Sequence, residues 1–155
     1  MLKKAVLLVL FVLFSVFLSC GNKPEKSDLS QEEVKGSGKY PEAVSAMKKM
    51  INAQEKYIKE LQSVKSADDI VKAVNNYVDE FTSLATEMEN ISAKYPELAD
   101  ESVSDPEIEA LTKRLEELSI KTATESGTKL MKYMNDPKVQ EAIGDLTEKM
   151  GSLDM

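Results

Sequence analysis

Ile70, Val74, Tyr77, Phe81, Leu84, Met88, Ile91 and Tyr95 follow one another at steps of 4, 3, 4, 3, 4, 3 and 4 residues. Steps of that kind keep a stripe on one side of an α-helix, so the segment predicts a helix that buries this side against neighbours. Upstream, Val44, Met47, Ile51, Ile58 and Leu61, flanked by Met50, Tyr57 and Val64, predict a first helix of about 24 residues. It opens at Tyr40-Pro41-Glu42, where proline suits the first turn because an N–H there would have no helical partner. Gln54 falls on this stripe and reads as a polar residue at the edge of a bundle. Ser66 and Asp69 have the spacing of a capping box, and the link before them is short, so the first two helices should form an antiparallel hairpin. Pro96 ends the second helix by restricting Tyr95.

An acidic connector leads to Asp105-Pro106 and a third stripe of Ile108, Leu111, Leu115 and Leu118. Small residues follow, Thr122, Ala123, Ser126 and Gly127, before Leu130, Met131, Tyr133 and Met134. We read one continuous helix over 106–134, the small residues allowing close approach of a neighbour. Asn135-Asp136-Pro137 ends it and starts a shorter helix with Val139, Ala142, Ile143, Leu146 and Met150. No segment alternates with the period of a strand. The expected fold is all-α: an antiparallel helical bundle of three long helices plus a shorter C-terminal helix, with one flank partly open. Two local echoes, Lys-Tyr-Pro-Glu at 39–42 and 94–97 and Asp-Pro at 105–106 and 136–137, share no common period and read as helix-start devices. Tyr40 and Tyr95 are expected to pack in the core rather than serve recognition.

The pattern before residue 40 is of another kind. Lys3 and Lys4 precede an apolar run from Ala5 to Leu18, then Ser19 and Cys20, the one cysteine of the chain. The run is shorter than the ~20 apolar residues a bilayer core needs, which favours an export signal over a permanent span. Phe17-Leu18-Ser19-Cys20-Gly21 resembles the lipobox of bacterial lipoproteins, with Phe17 and Leu18 where the usual box has leucine and a small residue; it is similar to the looser boxes of spirochaete lipoproteins. The resemblance implies removal of residues 1–19 as a signal peptide, a diacylglyceryl thioether on Cys20, and acylation (palmitate) of its new amino terminus. It further implies a cell-envelope membrane protein held by lipid, with Gly21 permitting the outer rather than the inner membrane. Residues 20–39 then form the lipidated cysteine and a flexible tether, since this stretch has only Leu29 and Val34 as larger apolar residues; as a coil it would reach on the order of 25 Å. Residues 40–155 are the helical bundle domain, and its layout resembles that of small bacterial lipoproteins.

Composition narrows function by exclusion. The chain has no histidine, no tryptophan and no cysteine beyond Cys20, which removes the usual neutral-pH base, thiol nucleophiles, disulfides and ordinary zinc or copper ligands. No phosphate loop, nucleophile elbow or calcium loop is found. We therefore expect no catalytic residues, no metal site and no cofactor. Without residues 1–19 the balance is 18 basic against 27 acidic side chains, a net charge of −9, which repels nucleic acid. Residues 68–117 carry a net −10 and residues 20–67 a net +2. The lysines 48, 49, 56 and 59 are expected to face solvent and pair locally, as Glu55 with Lys59 can. Asp100, Glu101, Asp105, Glu107 and Glu109 lack calcium-loop spacing, and Glu116 with Glu117 diverge on a helix, so neither set predicts a site. The expectation is a non-catalytic, lipid-anchored envelope protein with a protein or envelope partner. The alternative is a periplasmic module holding an apolar small molecule between helices.

Overall fold

Four of the five prolines in the chain open a helical element, each where a missing N–H costs nothing. The computed structural model describes residues 38–100 and 104–151. Pro41–Ser63 is α1, Ala67–Lys94 is α2, Pro106–Tyr133 is α3 and Pro137–Gly151 is α4, with a 3-10 turn over Pro96–Ala99. Among the described residues there is no strand, and the fold is an all-α bundle of three long helices with a shorter fourth. The signal-like run, Cys20 and most of the tether lie outside the described residues.

Local chemistry accounts for the boundaries. Ser66 Oγ accepts from the Asp69 N–H at 3.2 Å while the Asp69 carboxylate accepts from Ser66 N–H at 3.0 Å, completing the capping box at the start of α2. Those backbone donors, Lys65 N–H first, hold the Asp69 carboxyl below the usual carboxylate range. Asp105 caps α3 by accepting from Glu107 and Ile108 N–H at 3.0 and 3.1 Å. Asp136 accepts from Lys138 N–H at the start of α4. At the other end of that turn, Gln140 donates to the Met134 carbonyl at 2.9 Å, satisfying an acceptor freed by the end of α3. α3 is continuous through Gly127 as expected, but an added Cβ there would meet open space, so Gly127 mediates no close approach. The small residues that do face inward are Ser119, Thr122, Ala123 and Ser126.

Ion pairs between helices fix direction and register. Glu42–Lys94, Lys49–Glu87 and Lys56–Glu80 join α1 to α2, the α1 number rising by seven as the α2 number falls by seven, which defines an antiparallel hairpin. Lys48–Glu107 and Glu55–Arg114, at 2.8 and 2.9 Å, both rise by seven, so α3 runs parallel to α1. Asp68–Lys138 and Asp79–Lys149, at 2.7 and 3.7 Å, set α4 parallel to α2. Successive helices therefore alternate in direction. The α1/α2 hairpin forms the centre, α3 docks on the outer side of α1, and α4 docks on α2. α3 and α4 touch little along their lengths, which leaves that flank open. The lysines expected to pair locally instead bridge helices: Lys48, Lys49 and Lys56 each reach a carboxylate on another helix. The hairpin and the docking of α3 bring those groups closer than any neighbour on α1 itself.

The core runs along the hairpin through Met47, Met50, Tyr57, Leu61, Ile70, Val74, Phe81, Met88 and Ile91. Because α1 is packed on two sides, its buried face is wider than one stripe: Ala43, Ala46 and Ala53 are buried, whereas Val44 and Ile51 are half-exposed. Gln54 is 1% exposed, not at an edge, since α3 covers it.

Candidate functional site

The two Lys-Tyr-Pro-Glu segments meet at one end of the bundle. Tyr40, before α1, sets its ring edge-on to Tyr95, after α2, with centroids 5.4 Å apart and planes at 87°. Lys94 pairs with Glu42, and Lys39 lies 3.8 Å from Glu97, so each copy's lysine reaches the other's glutamate. Each lysine also sits over its own tyrosine ring, at 4.8 and 5.3 Å. Tyr95 donates its hydroxyl to Glu42. Lys94 and then Tyr95 hold the Glu42 carboxyl below its ordinary range, and the same contacts raise Lys94 and Tyr95. Only the first echo starts an α-helix; the second ends α2 and opens the 3-10 turn. Both tyrosines thus have structural partners, and this clasp ties the entry of the chain at residue 39 to the corner before α3.

A polar layer crosses the middle of the bundle where α1 meets α3. Gln54 Nε2 donates to Ser119 Oγ at 3.5 Å, and Ser119 donates to the Leu115 carbonyl at 2.8 Å. Ser126 donates to the Tyr57 hydroxyl at 3.4 Å. Tyr57 stacks on Tyr77 with centroids 4.4 Å apart. Burial raises both tyrosine pKa values, so each stays a neutral phenol. The oxygens of Gln54, Thr122 and Tyr77 are buried without a protein partner. The layer is built from an amide, phenols and alcohols, and it sets how α3 seats on α1.

Between α1 and α2 an open groove of about 570 Å³ is lined by Lys49, Asn52, Lys56, Asp79, Glu80 and Ser83 together with Ala53 and Leu84. Charged and apolar groups share its lining, and its two lysines are engaged in the ion-pair ladder. The acidic residues around the start of α3 are likewise occupied: Asp105 caps the helix, Glu107 binds Lys48 and Glu109 accepts from Ser104, while Glu101 lies outside the described residues. Among the described residues no group of acidic or sulfur and imidazole side chains could hold a metal ion.

The outer side of α3 differs from the rest of the surface. Ile120, Met131 and Met134 are 55%, 73% and 41% exposed, the large apolar side chains that stand out into solvent among the described residues. Ile120, Thr124, Gly127, Met131 and Met134 follow at steps of 4, 3, 4 and 3, a second period on the same helix turned away from Leu115, Leu118, Thr122, Ser126 and Leu130. The sequence pattern alone places Met131 and Met134 after the small residues without giving them a face, and does not single out Ile120. The signal was present as a second set of 4-and-3 steps, masked because small residues occupy the inward positions. Cys20 lies outside the described residues. No described helix is long and apolar enough to cross a membrane. No family model, curated protein or solved structure matches the chain.

Proposed function

We propose that this chain is a lipid-anchored cell-envelope protein, held at Cys20 and acting by contact with a protein or envelope partner rather than by catalysis. The observation that carries the contact role is the exposed apolar period of α3. Solvent-facing apolar side chains that recur along one helix gain free energy only when something covers them, about 25 cal/mol per Å² of apolar area. The anchor rests on Cys20, placed where a short apolar run with a basic start gives way to a polar stretch. Two or more acyl chains hold a protein durably at a membrane, and the segment up to residue 39 serves as a spacer for the bundle. Without histidine or a free active-site thiol, the chain carries little that could turn a docking face into a reaction centre.

Metabolic labelling with palmitate tests the anchor. The wild-type chain should take up label and shift to the larger uncleaved form when globomycin is added, and Cys20→Ala should lose the label. An unlabelled wild type that stays in the soluble fraction would overturn the anchored reading.

A further inference from the structure

We infer that Met131 and Met134 form an oxidation site at which hydrogen peroxide turns the outer face of α3 from apolar to polar while leaving the bundle folded. This is a regulation of the contact surface proposed above and rests on that reading, though not on lipid at Cys20.

Two observations carry it. The first is the division of the methionines by exposure. Met131 and Met134 are 73% and 41% exposed, whereas Met47, Met50 and Met88 are 2%, 3% and 3% exposed. Those three thioethers lie in the core of the hairpin, where peroxide reaches sulfur only when the bundle opens. Met131 needs no opening. Peroxide is small and uncharged, so the charges around this face do not keep it away. The chain has no histidine or tryptophan and its one cysteine is Cys20, so few other side chains compete for the oxidant.

The second is what the two side chains contribute. With Ile120 they are the large apolar side chains exposed among the described residues, and they lie one turn apart on the outer period of α3. Their oxidation changes most of that apolar surface at once. In the step itself a lone pair of the thioether sulfur attacks one peroxide oxygen. The S–O bond forms as the O–O bond breaks, and the departing hydroxide takes the proton of the transferred oxygen and leaves as water. Sulfur is oxidised by two electrons and the peroxide is reduced. The product is a sulfoxide, whose polar oxygen makes the face costly to cover without a hydrogen-bond donor. Neither side chain belongs to the core, so the packing of the fold is kept. Methionine sulfoxide reductases reverse the change, one enzyme for each epimer.

Peptide mapping by mass spectrometry of the folded full chain in detergent micelles, over a timed exposure to hydrogen peroxide, tests the site. Met131 should oxidise at close to the rate of free N-acetylmethionine and Met134 more slowly. Met47, Met50 and Met88 should lag Met131 by about tenfold or more. Circular dichroism should be unchanged once Met131 and Met134 are converted. Buried methionines that oxidise alongside Met131, or a bundle that unfolds as Met131 is converted, would overturn the inference.

A photo-crosslinking side chain at Ile120 reads the effect on contact, with the full chain expressed in cells and the membranes treated with peroxide before irradiation. The untreated chain should give a defined crosslinked product, and peroxide should reduce it by about fivefold or more. In the double variant Met131→Leu with Met134→Leu the product should survive peroxide, since leucine is apolar and inert to it; this separates oxidation of α3 from oxidation of whatever it touches. Met131→Gln with Met134→Gln, a polar stand-in for the sulfoxides, should lack the product without any oxidant. A product that persists in oxidised wild type, or that peroxide removes equally from the leucine variant, overturns the regulation and leaves the contact surface in place. An untreated wild type with no product overturns the contact surface itself, and the regulation with it, whatever the peptide map shows.

Discussion

Glu42 is where a single residue does most in this molecule. It accepts from Tyr95 and Lys94, and both contacts depress its pKa in the folded state. A depressed carboxyl contributes stability that is present above its unfolded pKa and lost as pH falls through the folded value. The gap in melting temperature between wild type and Glu42→Gln should therefore be open at neutral pH and close as the pH falls below the ordinary carboxylate range, read by circular dichroism melts. A gap that does not change with pH would remove the ionic role of Glu42. Gln54 presents the opposite case. Its amide is buried, with one weak donor contact and an oxygen that has no protein partner, so its burial is poorly compensated. Gln54→Met, close in volume, should leave stability to urea unchanged or raise it by up to ~2 kcal/mol. A loss of several kcal/mol would mean that the polar layer is fully satisfied and stabilising. The sequence showed Gln54 on a stripe, but not that it is central, because that depends on which side of α1 receives α3.

At the scale of the helices, the prolines, the Ser66–Asp69 box and the 4-and-3 steps in α2 made boundaries and count legible before any coordinates. Their signals are local, and local signals survive into the fold. Pairing was less legible. The ladder through Glu42, Lys49 and Lys56 is heptad-spaced, yet its partners are known only once α2 lies antiparallel, and the sequence alone offered the nearer i,i+4 partners. Exposed pairs of this kind are worth little each, ~0–1 kcal/mol, so the ladder specifies register more than it stabilises. Two substitutions check the element-level account by urea unfolding. Ser66→Ala should cost about 1 kcal/mol by removing the acceptor for the Asp69 N–H. Gly144→Ala, in the exposed interior of α4 where a Cβ meets open space, should gain roughly 0.5–1 kcal/mol. Opposite signs would show that these helix ends and interiors are governed by packing instead.

For the whole molecule, the arrangement places the hairpin at the centre and leaves α3 as an outer helix with two unlike faces. Its inner face is small and hydroxyl-rich around Ser119, Thr122 and Ser126; its outer face carries Ile120, Met131 and Met134. A helix kept for packing alone would gain from the reverse assignment, which is why a contact surface is the reading we favour. This face was the least legible part of the sequence, since apolar residues are read inward by default and the choice between two periods on one helix is made by its neighbours. A photo-crosslinking side chain at Met131, in the full chain expressed in cells and recovered from membranes, tests the claim most directly. The account predicts a defined crosslinked species from Met131 and none from Glu89 on the exposed side of α2. No product from Met131, or the same diffuse products from both positions, would contradict it.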